Sequence, residues 1–275
     1  MLGKLLKHEF RATGRLMLPA LGAVLILAAL ANFSIRFIQV TDSTFLTILF
    51  GLVILIFVIG IVAAAVMTTV VMVLRFYRNL LRDEGYLMHT LPVSIHSLVW
   101  SKLLVSLCWF IVTFLVIWLT ILLTGLIQTG TNLGAFFAGF PSWAEVSQAL
   151  ARAGISGGDL WLLGGEFLLA AILGGFATCL HFYAAMALGQ MFAKDKVLLS
   201  ILFFVGLSIV FSLFSAGYGI NLAHMEEAIE DMDMARQLVH FTQRALAQGL
   251  LVSTLQTALM YVITTQCLQK KLNLA

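Results

Sequence analysis

Two groups of residues in this 275-residue chain have the types that chemistry requires. His181 lies between Cys179 and Tyr183 within a long uncharged run. An unprotonated imidazole there can pack through one or two hydrogen bonds to neighbouring helices, line a cavity, contact a substrate or sense protons. The second group is the stretch from Arg75 to Lys102, where Arg78, Arg82, Asp83 and Glu84 are followed by Tyr86, Leu87, Met88 and Leu91. Apolar anchors amid charge suit docking to a protein surface, and they also suit a loop lying on lipid headgroups. Other chemistries find no support. The chain contains neither a G-x-x-x-x-G-K-[ST] phosphate loop nor an H-E-x-x-H metal motif, and no Ser/His/Asp set falls on a plausible common surface. Cys108, Cys179 and Cys267 are odd in number and lie in apolar runs, which excludes a full disulfide framework and gives no metal-ligand spacing. The expectation is a non-enzyme with no catalytic residue, no metal and no directly bound cofactor.

The elements that must position these groups are membrane spans. Hydrophobic residues make up 61% of the chain and the mean hydropathy is +1.03, far from soluble-domain composition. Uncharged runs extend over residues 16–35, 43–74, 103–144, 167–193, 197–225 and 245–269. A bilayer core about 30 Å thick takes about 20 apolar residues of helix. The chain is therefore predicted to be all-α, with six transmembrane helices near residues 16–35, 48–73, 103–127, 167–190, 197–222 and 245–268, forming a single transmembrane domain over 1–275.

Basic residues collect in alternate gaps. With both termini inside, 12 of the 16 Lys and Arg are cytoplasmic: Lys4, Lys7, Arg11, Arg15, Arg75, Arg78, Arg82, Lys102, Lys194, Lys196, Lys270 and Lys271. Nine of the 13 acids fall outside, among them Asp42 and the cluster Glu226, Glu227, Glu230, Asp231 and Asp233. The formal charge of +3 follows from this asymmetry and implies no nucleic-acid partner. Ala29-Leu30-Ala31 resembles a signal-peptidase site, but the uncharged run before Arg36 exceeds the usual secretory apolar region of about 7–15 residues, so an uncleaved first span is expected.

No carboxylate falls near the middle of a span, which argues against an ion-coupled carrier. Glu166 is placed at the outer edge of the fourth helix, snorkelling to headgroups. Gly164-Gly165 and Gly174-Gly175 read as helix-packing positions. The N-terminal residues 1–15 read as an amphipathic interfacial helix, with Leu2, Leu5, Leu6 and Phe10 on one face and Lys4, Lys7, His8, Glu9 and Arg11 on the polar side.

In residues 75–102 a helix is expected to continue from the membrane with Arg78 and Arg82 on one face, to break at Asp83-Glu84-Gly85, and to restart after Pro92 with Ser94 as N-cap. The segment resembles the permease subunits of type-2 ATP-binding-cassette exporters in Glu84, Gly85, Leu87, Leu91, Pro92, Ser94 and Lys102. The resemblance covers about 35 residues in motif and the whole chain in its six-span architecture. It implies a coupling helix in which Arg82, Asp83, Glu84, Tyr86 and Leu87 touch a separate ATPase, and a connecting role for residues 1–15. It further implies a second copy of this chain or a related permease, ATP and Mg acting only through the partner ATPase, and a bacterial cytoplasmic membrane containing lipid as the third partner.

Outside, residues 128–160 are expected to hold a short helix begun by a Ser142/Glu145 capping box, and residues 224–244 an amphipathic surface helix. His181 and Tyr183, with Phe110, Phe114, Phe203 and Phe211, are the candidates for lining a path for amphipathic cargo such as peptides, toxins or lipids. The expected function is an exporter permease. The alternatives are a non-transporting membrane scaffold or sensor, and a self-protection permease that removes antimicrobial peptides from the bilayer.

Overall fold

The computed structural model describes residues 2–81, 93–129, 134, 139, 142–152, 156–192, 195–226 and 234–270. The described residues are helical almost throughout: α1 (Leu2–Ile38), α2 (Thr44–Phe76), a π-helical turn (Tyr77–Leu81), α3 (Ile95–Thr129), α4 (Trp143–Arg152), α5 (Gly157–Gly189), α6 (Lys196–Glu226) and α7 (Met234–Lys270). Six of them, α1, α2, α3, α5, α6 and α7, are long and apolar enough to cross a membrane. Helices are the form that satisfies every backbone N–H and C=O within one segment, which hydrocarbon demands.

The chain divides into two compact units, Met1–Arg75 with Trp100–Phe140, and Phe76–Val99 with Pro141–Ala275. In the first unit α1 and α3 run in the same direction, since Thr13 pairs with Trp109 and Asn32 with Thr124, while α2 opposes them through Thr68 and Thr113. Met17, Leu21, Val71, Met72, Val105 and Trp109 form one apolar core, and Ala28, Ala31 and Phe57 another. Polar groups bracket these cores. Asn32 Nδ2 donates to Thr124 Oγ1 at 3.0 Å, and the Arg36 guanidinium donates to the Ile127 carbonyl at 2.9 Å. At 1.5 Å per residue, Glu9 and Asn32 are about 35 Å apart along α1, close to a bilayer core's thickness.

Residues 2–15 and the first span form one unbroken helix, α1, with Pro19 inside it. Ties from Glu9 and Thr13 to α2 and α3, described below, hold its N-terminal part.

In the second unit α5 packs most extensively on α7 and also on α6. The contacts His181–Gln256 and Met191–Cys267 advance together, so α5 and α7 are parallel, with α6 antiparallel to α5. Both sequence capping predictions for short-range geometry hold. Glu145 N donates to Ser142 Oγ at 3.3 Å while Ser142 N donates to Glu145 Oε2 at 2.7 Å, and Ser97 N donates to Ser94 Oγ at 3.3 Å. A second capping box, Ser156 with Asp159, starts α5 ten residues before the predicted boundary. The stretch read as an external surface helix is divided: residues 227–233 lie outside the described residues, and α7 begins at Met234 and runs unbroken into the sixth span.

The glycine reading also changes. A Cβ at Gly164, Gly165 or Gly174 would meet nothing within 4 Å, so these are not points of close helix approach. A Cβ at Gly60 would meet the tip of Leu27 at 2.8 Å, and at Gly189 it would meet backbone, 2.7 Å from Ser200 N and 2.8 Å from the Lys196 carbonyl oxygen. Backbone atoms cannot yield as a side-chain tip can. Gly189→Ala should therefore destabilise the protein by about 2 kcal/mol, seen as a lowered thermal midpoint in detergent, whereas Gly164→Ala should change it by less than about 0.5 kcal/mol.

Candidate functional site

In the first unit a buried carboxylate gathers three helices. Glu9 of α1 accepts two hydrogen bonds at Oε2 from Arg75, from Nε at 3.1 Å and from Nη2 at 2.9 Å. Its Oε1 accepts from Lys102 Nζ of α3. Glu9 and Lys102 are almost wholly enclosed, while Arg75 retains some exposure. One turn further along α1, the Thr13 hydroxyl donates to the Glu9 carbonyl at 2.8 Å and accepts from Trp109 Nε1 at 2.8 Å. Phe10 lies against the Trp109 ring at 6.4 Å, and Leu6 packs on the inner core. An ionised carboxylate taken from water is costly unless both oxygens are paired, and here they are.

Sequence reasoning put Glu9 on the polar, water-facing side of an interfacial helix, and that placement is corrected. Glu9, Thr13, Gly14 and Met17 share the buried face of α1. Leu2 and Leu5 are half-buried, and Phe10 is exposed at 37%. A sequence signal existed: Glu9 is the one acid among the basic residues that precede the first span.

Arg75 and Lys102 are also the roots of the segment between α2 and α3. Lys102 is buried two turns into α3, which starts at Ile95. In the second unit the same segment's described ends are held again. Phe76 stacks on Tyr183 of α5 with ring centroids 3.8 Å apart and planes 7° from parallel, and Asn79, Leu80 and Leu81 are buried. His96 Nδ1 and the Tyr261 hydroxyl of α7 are 2.7 Å apart. Arg78 is exposed. Arg82, Asp83, Glu84, Gly85, Tyr86, Leu87, Leu91 and Pro92 lie outside the described residues.

The second polar site surrounds His181. Its Nε2 is 3.0 Å from Ser208 Oγ, and the Ser208 hydroxyl donates to the Phe204 carbonyl at 2.7 Å. Ser208 thus accepts from an Nε2–H. Gln256 Nε2 is 3.5 Å from Nδ1, so the imidazole joins α5, α6 and α7. The cluster forms the wall of an open cleft of about 290 Å³, whose lining also includes Phe182, Phe211, Ser212 and Ser215. Phe204 and Phe211 meet the imidazole edge-on.

Of the proposed path-lining residues, His181 and Phe211 are brought together. Tyr183 is not in the cleft: two residues turn a helix by about 200°, so it faces the opposite side and stacks on Phe76. Phe110 belongs to the first unit's core, Phe114 is exposed at 66%, and Phe203 stacks on Phe192. Phe182, Phe204, Ser208, Ser212, Ser215 and Gln256 were missed, although Ser208, Ser212 and Ser215 follow an i, i+4, i+7 spacing visible in the sequence. Glu166 is partly buried, and its enclosed Oε2 has no hydrogen-bond partner among the described residues. No metal-holding group of three or more His, Cys, Asp or Glu occurs among the described residues. Comparison with protein-family models, curated proteins and solved structures gives no match.

Removing the Glu9 charge would leave Arg75 and Lys102 facing each other without compensation. Glu9→Gln should cost about 3 kcal/mol of stability, and Glu9→Gln combined with Lys102→Met should recover part of that loss. Thermal unfolding of the detergent-solubilised variants measures both.

Proposed function

We propose that this chain is the membrane-spanning subunit of a two-component exporter, driven by a separate ATPase that docks on residues 78–92. The observation that carries the reading is the fastening of that segment at both roots. Arg75 and Lys102 are held by Glu9, while Phe76 and His96 are held by Tyr183 and Tyr261. A loop that only rests on headgroups needs no such anchorage. A loop that transmits force needs each end tied to the elements it moves, and here the ties reach α1, α3, α5 and α7.

In this mechanism ATP binding closes the partner ATPase, displaces the docking segment, and shifts the helices between inward- and outward-open states. The displacement works only if the partner makes different contacts in the two states. Twelve spans from two copies would enclose the path, and the apolar composition suits an amphipathic cargo. The orientation with both termini cytoplasmic follows the Lys and Arg bias, and a bacterial plasma membrane is its setting.

The test is affinity purification from native membranes followed by ATP-driven uptake into inverted vesicles. A Walker-type ATPase should co-purify. Glu84→Ala should lower ATP-driven transport at least about tenfold through loss of docking contacts, while Glu166→Gln should leave it near the wild-type rate. Purification of the chain free of any ATPase, with vesicles indifferent to ATP, would instead favour a scaffold or sensor.

A further inference from the structure

Among the described residues that line the cleft around His181 there is no Asp, Glu, Lys or Arg, and this restricts what it can hold. They offer an imidazole, a carboxamide, several hydroxyls and three phenyl rings. An ionic headgroup would find no counter-charge, and a simple hydrocarbon would strand the polar groups. The fitting ligand carries uncharged groups that both donate and accept, repeated along its length and flanked by apolar surface.

The depth and spacing narrow the choice. At 1.5 Å per residue the cleft extends along α6 from about 12 Å beyond Lys196, at Phe204, to about 28 Å, at Ser215. It thus runs lengthwise through the middle of a span. Ser208, Ser212 and Ser215 lie on one face of α6, with successive rises of about 6 Å and 4.5 Å. An extended peptide presents its N–H and C=O groups along one edge every two residues, about 6.7 Å. A lipid, in contrast, concentrates its polar groups at one end.

Two of the four lining hydroxyls are available for such a ladder. Thr178 and Ser208 spend theirs on the carbonyls one turn earlier, at 2.8 and 2.7 Å. Ser212 and Ser215 make no hydrogen bond to any of the described residues. In hydrocarbon an unused hydroxyl is unfavourable, so a partner that supplies main-chain acceptors and donors gains affinity there.

We infer that the cleft binds the main chain of an extended, uncharged peptide segment lying along α6, with Ser212, Ser215 and Gln256 pairing to its amides and Phe182, Phe204 and Phe211 covering its apolar side chains. This rests on the reading of the chain as an exporter and names its cargo as peptide, recognised by backbone and therefore tolerant of sequence.

The experiment uses the full chain in lipid nanodiscs and a fluorescent alanine/leucine octapeptide with both ends blocked. A second octapeptide has alternate amide nitrogens methylated. Anisotropy is read as the excess over empty nanodiscs. The wild type should bind the first peptide saturably and the methylated one about 5- to 10-fold more weakly, as the loss of about two intramembrane hydrogen bonds implies. Ser212→Ala/Ser215→Ala should lose a similar factor for the first peptide and discriminate less between the two. Both serines are exposed, so the variant should keep the wild-type thermal midpoint. Equal binding of the two peptides, equal binding by wild type and variant, or displacement by lysophosphatidylcholine but not by unlabelled peptide would overturn the inference. Binding is measured without an ATPase, so its failure is separate from failure of ATP-driven export; peptide binding with no ATP dependence would overturn the exporter reading alone.

Discussion

A carboxylate buried between helices must be paired at both oxygens, and Glu9 meets that demand by drawing Arg75 and Lys102 to itself. This one requirement sets the register of α1 against α2 and α3 at one end of the first unit. Apolar packing alone would set it loosely, because hydrocarbon is as good a neighbour for Leu or Val as another helix is. Thr13 and Trp109 repeat the constraint a turn deeper, Thr68 and Thr113 in the middle, and Asn32 and Thr124 at the far end. The polar pairs fix position, and the two apolar cores fill the space between them.

The second unit solves a similar problem with neutral groups. His181 joins three helices through Ser208 and Gln256. The same bonds that satisfy the imidazole also hold one wall of the cleft in shape. Tyr183, two residues away, serves the other side of α5, where it holds Phe76 at the start of the segment leading to the motif.

Much of the architecture was legible from composition and spacing. Six apolar runs gave six spanning helices, and Ser142 with Glu145 and Ser94 with Ser97 gave helix starts, since these depend on local sequence. What local sequence could not reveal was the direction in which a polar residue points. Glu9 and Lys102 look like members of a water-facing charged set, because the pairing that buries them joins residues far apart in the chain. Gly164, Gly165 and Gly174 look like packing positions, yet the close backbone approach falls at Gly189, where the α5–α6 turn brings two backbones together.

The sequence by itself determined the class of protein: a helical membrane chain with its basic residues in alternate gaps and a charged segment between its second and third spans. Hydropathy and charge act residue by residue, so a linear reading captures them. Only the tertiary structure decided that residues 2–15 continue the first span, that Glu9 ties both roots of that segment, and that the serines of α6 meet His181 in a cleft. Those outcomes depend on which faces of separate helices meet, and in a bilayer that choice is made by a few polar pairs between distant residues, which no local pattern encodes.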